Sequence, residues 1–155
     1  MALKKGDKAP NFKLFSSEKK EVSLDDFKGK NLIIHFFPAA FTGTCTTQLC
    51  TVRDAIGTYH NSKSEIVGIS VDSLFSLAKY KEEQHLNFPL LSDFNKETSK
   101  SYQAYYDDFL FGMKGVSKRS AFVIDKDGII QYAEVLENAA DLPNFKAIDE
   151  VLEKL

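Results

Sequence analysis

Cys45 and Cys50 are the only two cysteines in the chain. They sit in Phe37-Pro-Ala-Ala-Phe-Thr-Gly-Thr-Cys-Thr-Thr-Gln-Leu-Cys-Thr-Val-Arg-Asp54, where an apolar run gives way to a helical pattern. A thiol attacks only as thiolate, and an unperturbed thiol (pKa ~8.5) is only about 3% ionised at pH 7. Cys45 falls in the first turn of the expected helix, facing unpaired N–H groups and the positive end of the dipole. Bringing a thiol pKa to about 6 takes roughly 3.4 kcal/mol, whereas a helix terminus supplies ~0.3–1 kcal/mol and at best about 2. A cation or several direct hydrogen bonds must make up the difference. The chain has two arginines to offer, Arg53 and Arg119.

The surrounding pattern supplies the elements that would hold such a thiol. Asn11–Phe15 and Val22–Leu24 read as short strands around a polar turn. Asn31–Phe37, bounded by Gly29 and Pro38, reads as a buried central strand, with Ile66–Val71 and Phe88–Leu91 as two more. Ala121–Asp125 and Ile129–Val135 flank Lys126-Asp-Gly, a hairpin turn. Apolar steps of three and four predict helices over Cys45–Tyr59 and over Leu74–Leu86, the latter capped by Asp72 or Ser73. A weaker helix is expected over Lys96–Tyr105, and a last one from Pro143. Strands alternating with helices predict an α/β fold with a mixed central sheet, helices on both faces and an N-terminal β extension, in one domain over residues 1–155. That is thioredoxin-like architecture.

Composition narrows the function. A net charge of −2 and a sequence pI near 5.9 give no electrostatic pull towards nucleic acid or an anionic membrane. No apolar run approaches a membrane span, and the N-terminus lacks a secretory h-region, so the expected address is cytoplasmic. Two cysteines are not a disulfide scaffold. His35, His60 and His85 are scattered, without the short ligand spacings of a structural zinc site; no metal or cofactor is expected, and the three histidines read as structural. Phe36, Phe37, Phe41, Phe109 and Phe111 read mostly as core, with Phe109–Met113 partly exposed.

Pro38-x-x-x-Thr42-x-x-Cys45 resembles the active-site signature of the peroxiredoxins. The resemblance extends through Lys5-Gly-Asp-Lys-Ala-Pro-Asn-Phe12, Ile66-Val-Gly-Ile-Ser-Val-Asp72, Phe88-Pro-Leu-Leu-Ser-Asp93 and Arg119-Ser-Ala-Phe-Val-Ile-Asp125. Cys-Thr-x-x-x-Cys followed by Arg-Asp is most similar to the bacterioferritin-comigratory and alkyl-hydroperoxide-reductase-E-like groups. The resemblance implies a thiol peroxidase acting on hydrogen peroxide or organic hydroperoxides, with a thioredoxin-like or other thiol as reductant, in a monomer or homodimer. It implies that Cys45 is the peroxidatic nucleophile and passes through a sulfenic acid. It also implies that Thr42 bonds the thiolate and the peroxide, that Pro38 limits solvent access, and that Arg119 lowers the thiol pKa and polarises the peroxide. Gln48 stands where the related groups commonly carry Glu, which keeps a hydrogen-bonding side chain and removes a charge. Thr42 or Thr44 also suits the helix N-cap, and Arg53 reads as an ion-pair partner.

Cys50 has two readings. Five helical residues separate two Cα atoms by roughly 8–9 Å on different faces, beyond the ~4.4–6.8 Å of a disulfide. An intact helix therefore forbids a Cys45–Cys50 bond. Thr44, Thr46, Thr47 and Thr51 make the segment a mediocre helix former, consistent with unwinding. The family includes members that resolve across this spacing. Otherwise Cys50 is a bystander and an external thiol reduces the sulfenic acid. Two further classes stay open on the residues: a thioredoxin-type disulfide oxidoreductase, against which Cys-x-x-x-x-Cys in place of Cys-x-x-Cys counts, and a redox-inert binding module.

Overall fold

The computed structural model describes residues 2–61 and 63–155. Its strands are β1 (Lys13–Ser16), β2 (Glu21–Ser23), β3 (Asn31–Phe36), β4 (Ser64–Ser70), β5 (Leu90–Ser92), β6 (Tyr105–Asp108), β7 (Lys114–Ser117), β8 (Ser120–Ile124) and β9 (Ile130–Val135). Its helices are α1 (Gly43–Asp54), α2 (Ile56–Asn61), α3 (Leu74–Glu83), α4 (Glu97–Ser101) and α5 (Phe145–Glu153). Seven strands form one mixed sheet in the order β2-β1-β5-β4-β3-β8-β9. β3, β4 and β5 run parallel, and antiparallel strands complete both edges. Among the described residues no helix is long and apolar enough to cross a membrane.

β3 lies at the heart of this sheet because it is apolar on both faces. Ile33 and Phe37 enter a core with Leu49 and Val52 of α1, Leu77 and Tyr80 of α3, and Ile148 and Leu152 of α5. Leu32, Ile34 and Phe36 enter the opposite core with Phe12, Phe122, Ile130 and Tyr102, the residue that ends α4. This is the period of two expected of a strand buried on both sides. Gly68 on β4 is needed at close quarters, since a Cβ there would lie 2.8 Å from Leu90 Cδ2 and 3.4 Å from Phe37 Cε1.

Several expectations change. The helix predicted over Cys45–Tyr59 is two helices broken at Ala55, whose N–H reaches both Thr51 O and Val52 O as the ladder tightens. The helix predicted over Lys96–Tyr105 is confined to Glu97–Ser101. It starts after Lys96 in the left-handed region and cannot pass Gln103, at φ 56°. β6 and β7 form a separate hairpin that the polar run Tyr105-Tyr-Asp-Asp108 did not suggest. Its tip carries Phe111, which is 97% exposed, and Phe41 is 52% exposed, so neither is core. Both have positive φ. The last helix starts at Phe145, two residues after Pro143, and is capped by Asn144, whose Oδ1 accepts from Ala147 N. His35 is fully buried and His85 is exposed; the side chain of His60 lies outside the described residues.

Candidate active site

The chain leaves the carboxyl end of β3 through buried Pro38 and enters α1 at Gly43. The connecting loop is fixed from the next strand. Asp72, just past β4, accepts from Ala40 N at 2.9 Å and from Ser70 Oγ at 2.6 Å. Asp72 therefore serves the loop, and Ser73 caps α3 by accepting from Ser76 N. Phe41 adopts φ 67° at the turn, and its ring packs on Tyr80 with centroids 5.0 Å apart. Thr42 occupies the N-cap position of α1 without a side-chain capping bond; its Oγ1 donates to Ala39 O at 2.7 Å.

Cys45 lies in the first turn of α1 and is 1% exposed. The cation beside this thiol is Arg119, buried at the bend between β7 and β8. Its Nη1 donates to Cys45 Sγ at 3.4 Å and to Gln48 Oε1 at 2.8 Å, and its Nε donates to Ala139 O at 2.8 Å. The antiparallel pairing of β8 with β3 brings Arg119 here from 74 residues away. Gln48, one turn below Cys45, continues inwards to His35 Nδ1 at 3.0 Å. Burial pushes the His35 imidazole down to about 4. A cavity of about 730 Å³ opens beside the site, lined by Thr42, Thr44, Tyr106, Phe109, Leu110 and Arg119 among others.

Cys50 is on the same helix, half-buried, and both thiols are free. Its Sγ lies 3.8 Å from Gln84 Oε1. Arg53 is a structural partner: it pairs with Asp54 at 2.9 Å and donates through Nη1 to Gln84 O at 2.7 Å. Within α1, Thr47 Oγ1 donates to Gly43 O and Thr51 Oγ1 to Thr47 O, back-bonding that weakens a helix slightly. Thr46 Oγ1 bonds the Tyr80 hydroxyl at 2.9 Å and ties the first turns to α3.

The structure thus brings Cys45, Arg119, Thr42 and Pro38 to one end of β3 and keeps Cys50 on the next turns of the helix. Sequence reasoning offered Asp72 only as a helix cap and did not find that Asp72, Tyr80 and His35 reach the residues around Cys45. Asp72 had a usable signal, since a polar residue at the carboxyl end of a parallel strand borders the site crevice of an open α/β sheet.

A thioredoxin-like sheet with a buried cysteine at a strand-to-helix junction, bonded by a buried arginine, defines a thiol-based oxidoreductase. The AhpC/TSA family model matches residues 5–133. A Mycobacterium tuberculosis protein named as a peroxiredoxin is 42% identical over 134 residues, covering 85% of each chain. The mitochondrial thioredoxin-dependent peroxide reductase of Bos taurus is 37% identical over 154 residues, which span 93% of this chain and 56% of that longer protein. The crystal structure of peroxidoxin BcpB from Mycobacterium tuberculosis superposes with a TM-score of 0.87 at 27% identity, covering 99% of this chain and 98% of that one. The chain belongs to the AhpC/TSA family, the peroxiredoxins, and its activity is that of a thiol peroxidase.

Proposed function

We propose that Cys45 is the peroxidatic nucleophile and that Cys50 resolves its sulfenic acid as an intramolecular disulfide. The observation that carries the first half is the buried Arg119 Nη1 at 3.4 Å from Cys45 Sγ. A donor there favours the thiolate and can follow charge onto the leaving oxygen. The Cys45 thiolate attacks one oxygen of the peroxide, the O–O bond breaks, and the other oxygen leaves as hydroxide or alkoxide and takes up a proton. Sulfur is oxidised to the sulfenic acid, the first reversible rung of the cysteine ladder. Thr42, on the cavity side of the nucleophile, binds the peroxide once its hydroxyl turns from Ala39 O, and Pro38 closes off the strand side.

The Cys50 thiol then displaces water from the sulfenic sulfur, and a thioredoxin-like or other dithiol reduces the resulting disulfide. The two sulfurs share one continuous helix, so the first turns of α1 unwind before they meet. Unwinding moves Leu49 out of a fully buried position, a cost of about 1.5–3 kcal/mol. Threonine back-bonding and the low propensity of the segment lower that barrier. The second reading, a one-cysteine cycle with an external thiol, draws on the same intact helix. Intact mass after one equivalent of hydrogen peroxide with dimedone present, on wild type and Cys50→Ser, separates the two. Loss of two hydrogens in wild type, with a dimedone adduct on Cys45 in the variant, is the expected result. Adducts in both proteins establish the one-cysteine cycle, and no change at Cys45 in either refutes the nucleophile. An insulin-reduction assay without peroxide tests the disulfide-oxidoreductase alternative, with no turnover expected.

A further inference from the structure

Arg119, Gln48 and His35 form one buried run of polar side chains ending at Cys45, and donor logic fixes each member. A guanidinium only donates. The Gln48 atom 2.8 Å from Arg119 Nη1 is therefore the amide oxygen. The amide nitrogen must then face inwards, 3.0 Å from His35 Nδ1 and 3.4 Å from Phe36 O. That nitrogen also only donates, so Nδ1 is the bare acceptor and the ring proton sits on Nε2. His35 Nε2 is buried and has no hydrogen-bond partner among the described residues. The ring is stacked on Phe145, with centroids 5.9 Å apart. The orientation of the ring is therefore set by packing on one side and by Gln48 on the other.

We infer that His35, as the neutral Nε2–H tautomer, is a positioning residue for Cys45: its bare Nδ1 sets the Gln48 amide so that the oxygen faces Arg119 and the guanidinium is held on the sulfur. An amide is almost symmetric in shape, so its direction is decided by its partners. Turned over, Gln48 presents NH₂ to a guanidinium, donor against donor, and Arg119 has to move. Its other bond, Nε to Ala139 O, anchors only one edge of the fork. Phe36 O, the longer contact, is a poor substitute for Nδ1 as an acceptor. His35 touches neither sulfur nor peroxide and acts entirely through Gln48.

The inference rests on Cys45 as the reacting thiol, and its test is independent of peroxide turnover. Two substitutions separate shape from hydrogen bonding. His35→Phe keeps the bulk against Phe145 and loses the acceptor. His35→Asn can present Oδ1 close to where Nδ1 lies and loses the bulk. Expected for His35→Phe is a Cys45 alkylation profile moved to higher pH by about one unit, with rate on the acid limb about tenfold lower. His35→Asn should melt at lower temperature and keep the wild-type profile. A wild-type profile in His35→Phe overturns the inference, as does an equal displacement in both variants. Nitrogen-15 NMR of the wild-type imidazole needs no variant: a proton on Nε2 and a bare Nδ1 are expected, and a proton on Nδ1 overturns the inference. Loss of peroxide consumption in Cys45→Ser tests the nucleophile separately.

Discussion

Tyr80→Phe should speed formation of the Cys45–Cys50 disulfide. Tyr80 is fully buried on α3, and its hydroxyl bonds Thr46 Oγ1 at 2.9 Å, one residue after Cys45. Removing that oxygen leaves the ring in place against Phe37 and Phe41 and takes away one tie that holds the first turns of α1 closed. A neutral hydrogen bond contributes about 0.5–1.5 kcal/mol net, so the unwound population rises about 2- to 13-fold. If unwinding is a rapid pre-equilibrium, resolution accelerates by the same factor. Burial pushes the Tyr80 phenol up to about 12, so the bond is intact across the working pH range and the effect should not depend on pH there. The assay mixes reduced enzyme with one equivalent of hydrogen peroxide, quenches with acid at intervals and follows the mass of the sulfenic acid and of the disulfide. A sulfenic acid that lives a shorter time is also exposed for less time to a second peroxide, so sulfinic acid should form at correspondingly higher peroxide. A folded Tyr80→Phe protein that resolves at the wild-type rate, or more slowly, would refute the latch.

On the proposed reading Arg119→Met removes a donor to the attacking thiolate, a bond of about 1.5–3 kcal/mol, so peroxide reduction should fall roughly 10- to 150-fold in a stopped-flow competition assay. His35 should make the protein less stable in mild acid. Its folded value of about 4 lies below the ordinary 6.5, so between those pH values only the unfolded chain takes up the proton. Stability is full above pH 6.5 and declines as pH falls towards 4, by up to roughly 3 kcal/mol, and urea titrations at pH 7 and pH 4.5 should show a smaller loss in His35→Phe. Gly68→Ala forces a methyl against Leu90 and Phe37 and should cost about 1–3 kcal/mol in the same titration.

The central strands were readable because continuous apolar runs bounded by Gly or Pro leave few alternatives, and β3 starts where Asn31 placed it. The thiol's address at a strand-to-helix junction was readable for the same reason. Which cation was not a matter of periodicity; Arg119 came from the motif around it, and only β3–β8 pairing explains its arrival. The hairpin β6–β7 was hidden because its tip, Phe109–Met113, carries core-type residues in an exposed place. Phe41 was misjudged because aromatic side chains rarely adopt positive φ, whereas Phe111 lies in the segment read as partly exposed. The Asp72–Ala40 bond spans 32 residues and the Gln48–His35 bond 13, and neither partner carries a local signal for the other.

Both thiols lie on one helix, and on the proposed reading that helix is also the scaffold that activates the first of them. On the proposed cycle, each turnover dismantles the site that performed it. Gln48 leaves Arg119 and His35, the dipole behind Cys45 dissolves, and what remains cannot attack a second peroxide. On that cycle the enzyme holds a one-event record of having met its substrate, erased only when a dithiol arrives and the chain refolds. Under a surge of peroxide the proposed cycle would run as fast as reductant reaches the opened segment, making the fraction of molecules with α1 intact a gauge of the reducing power around them.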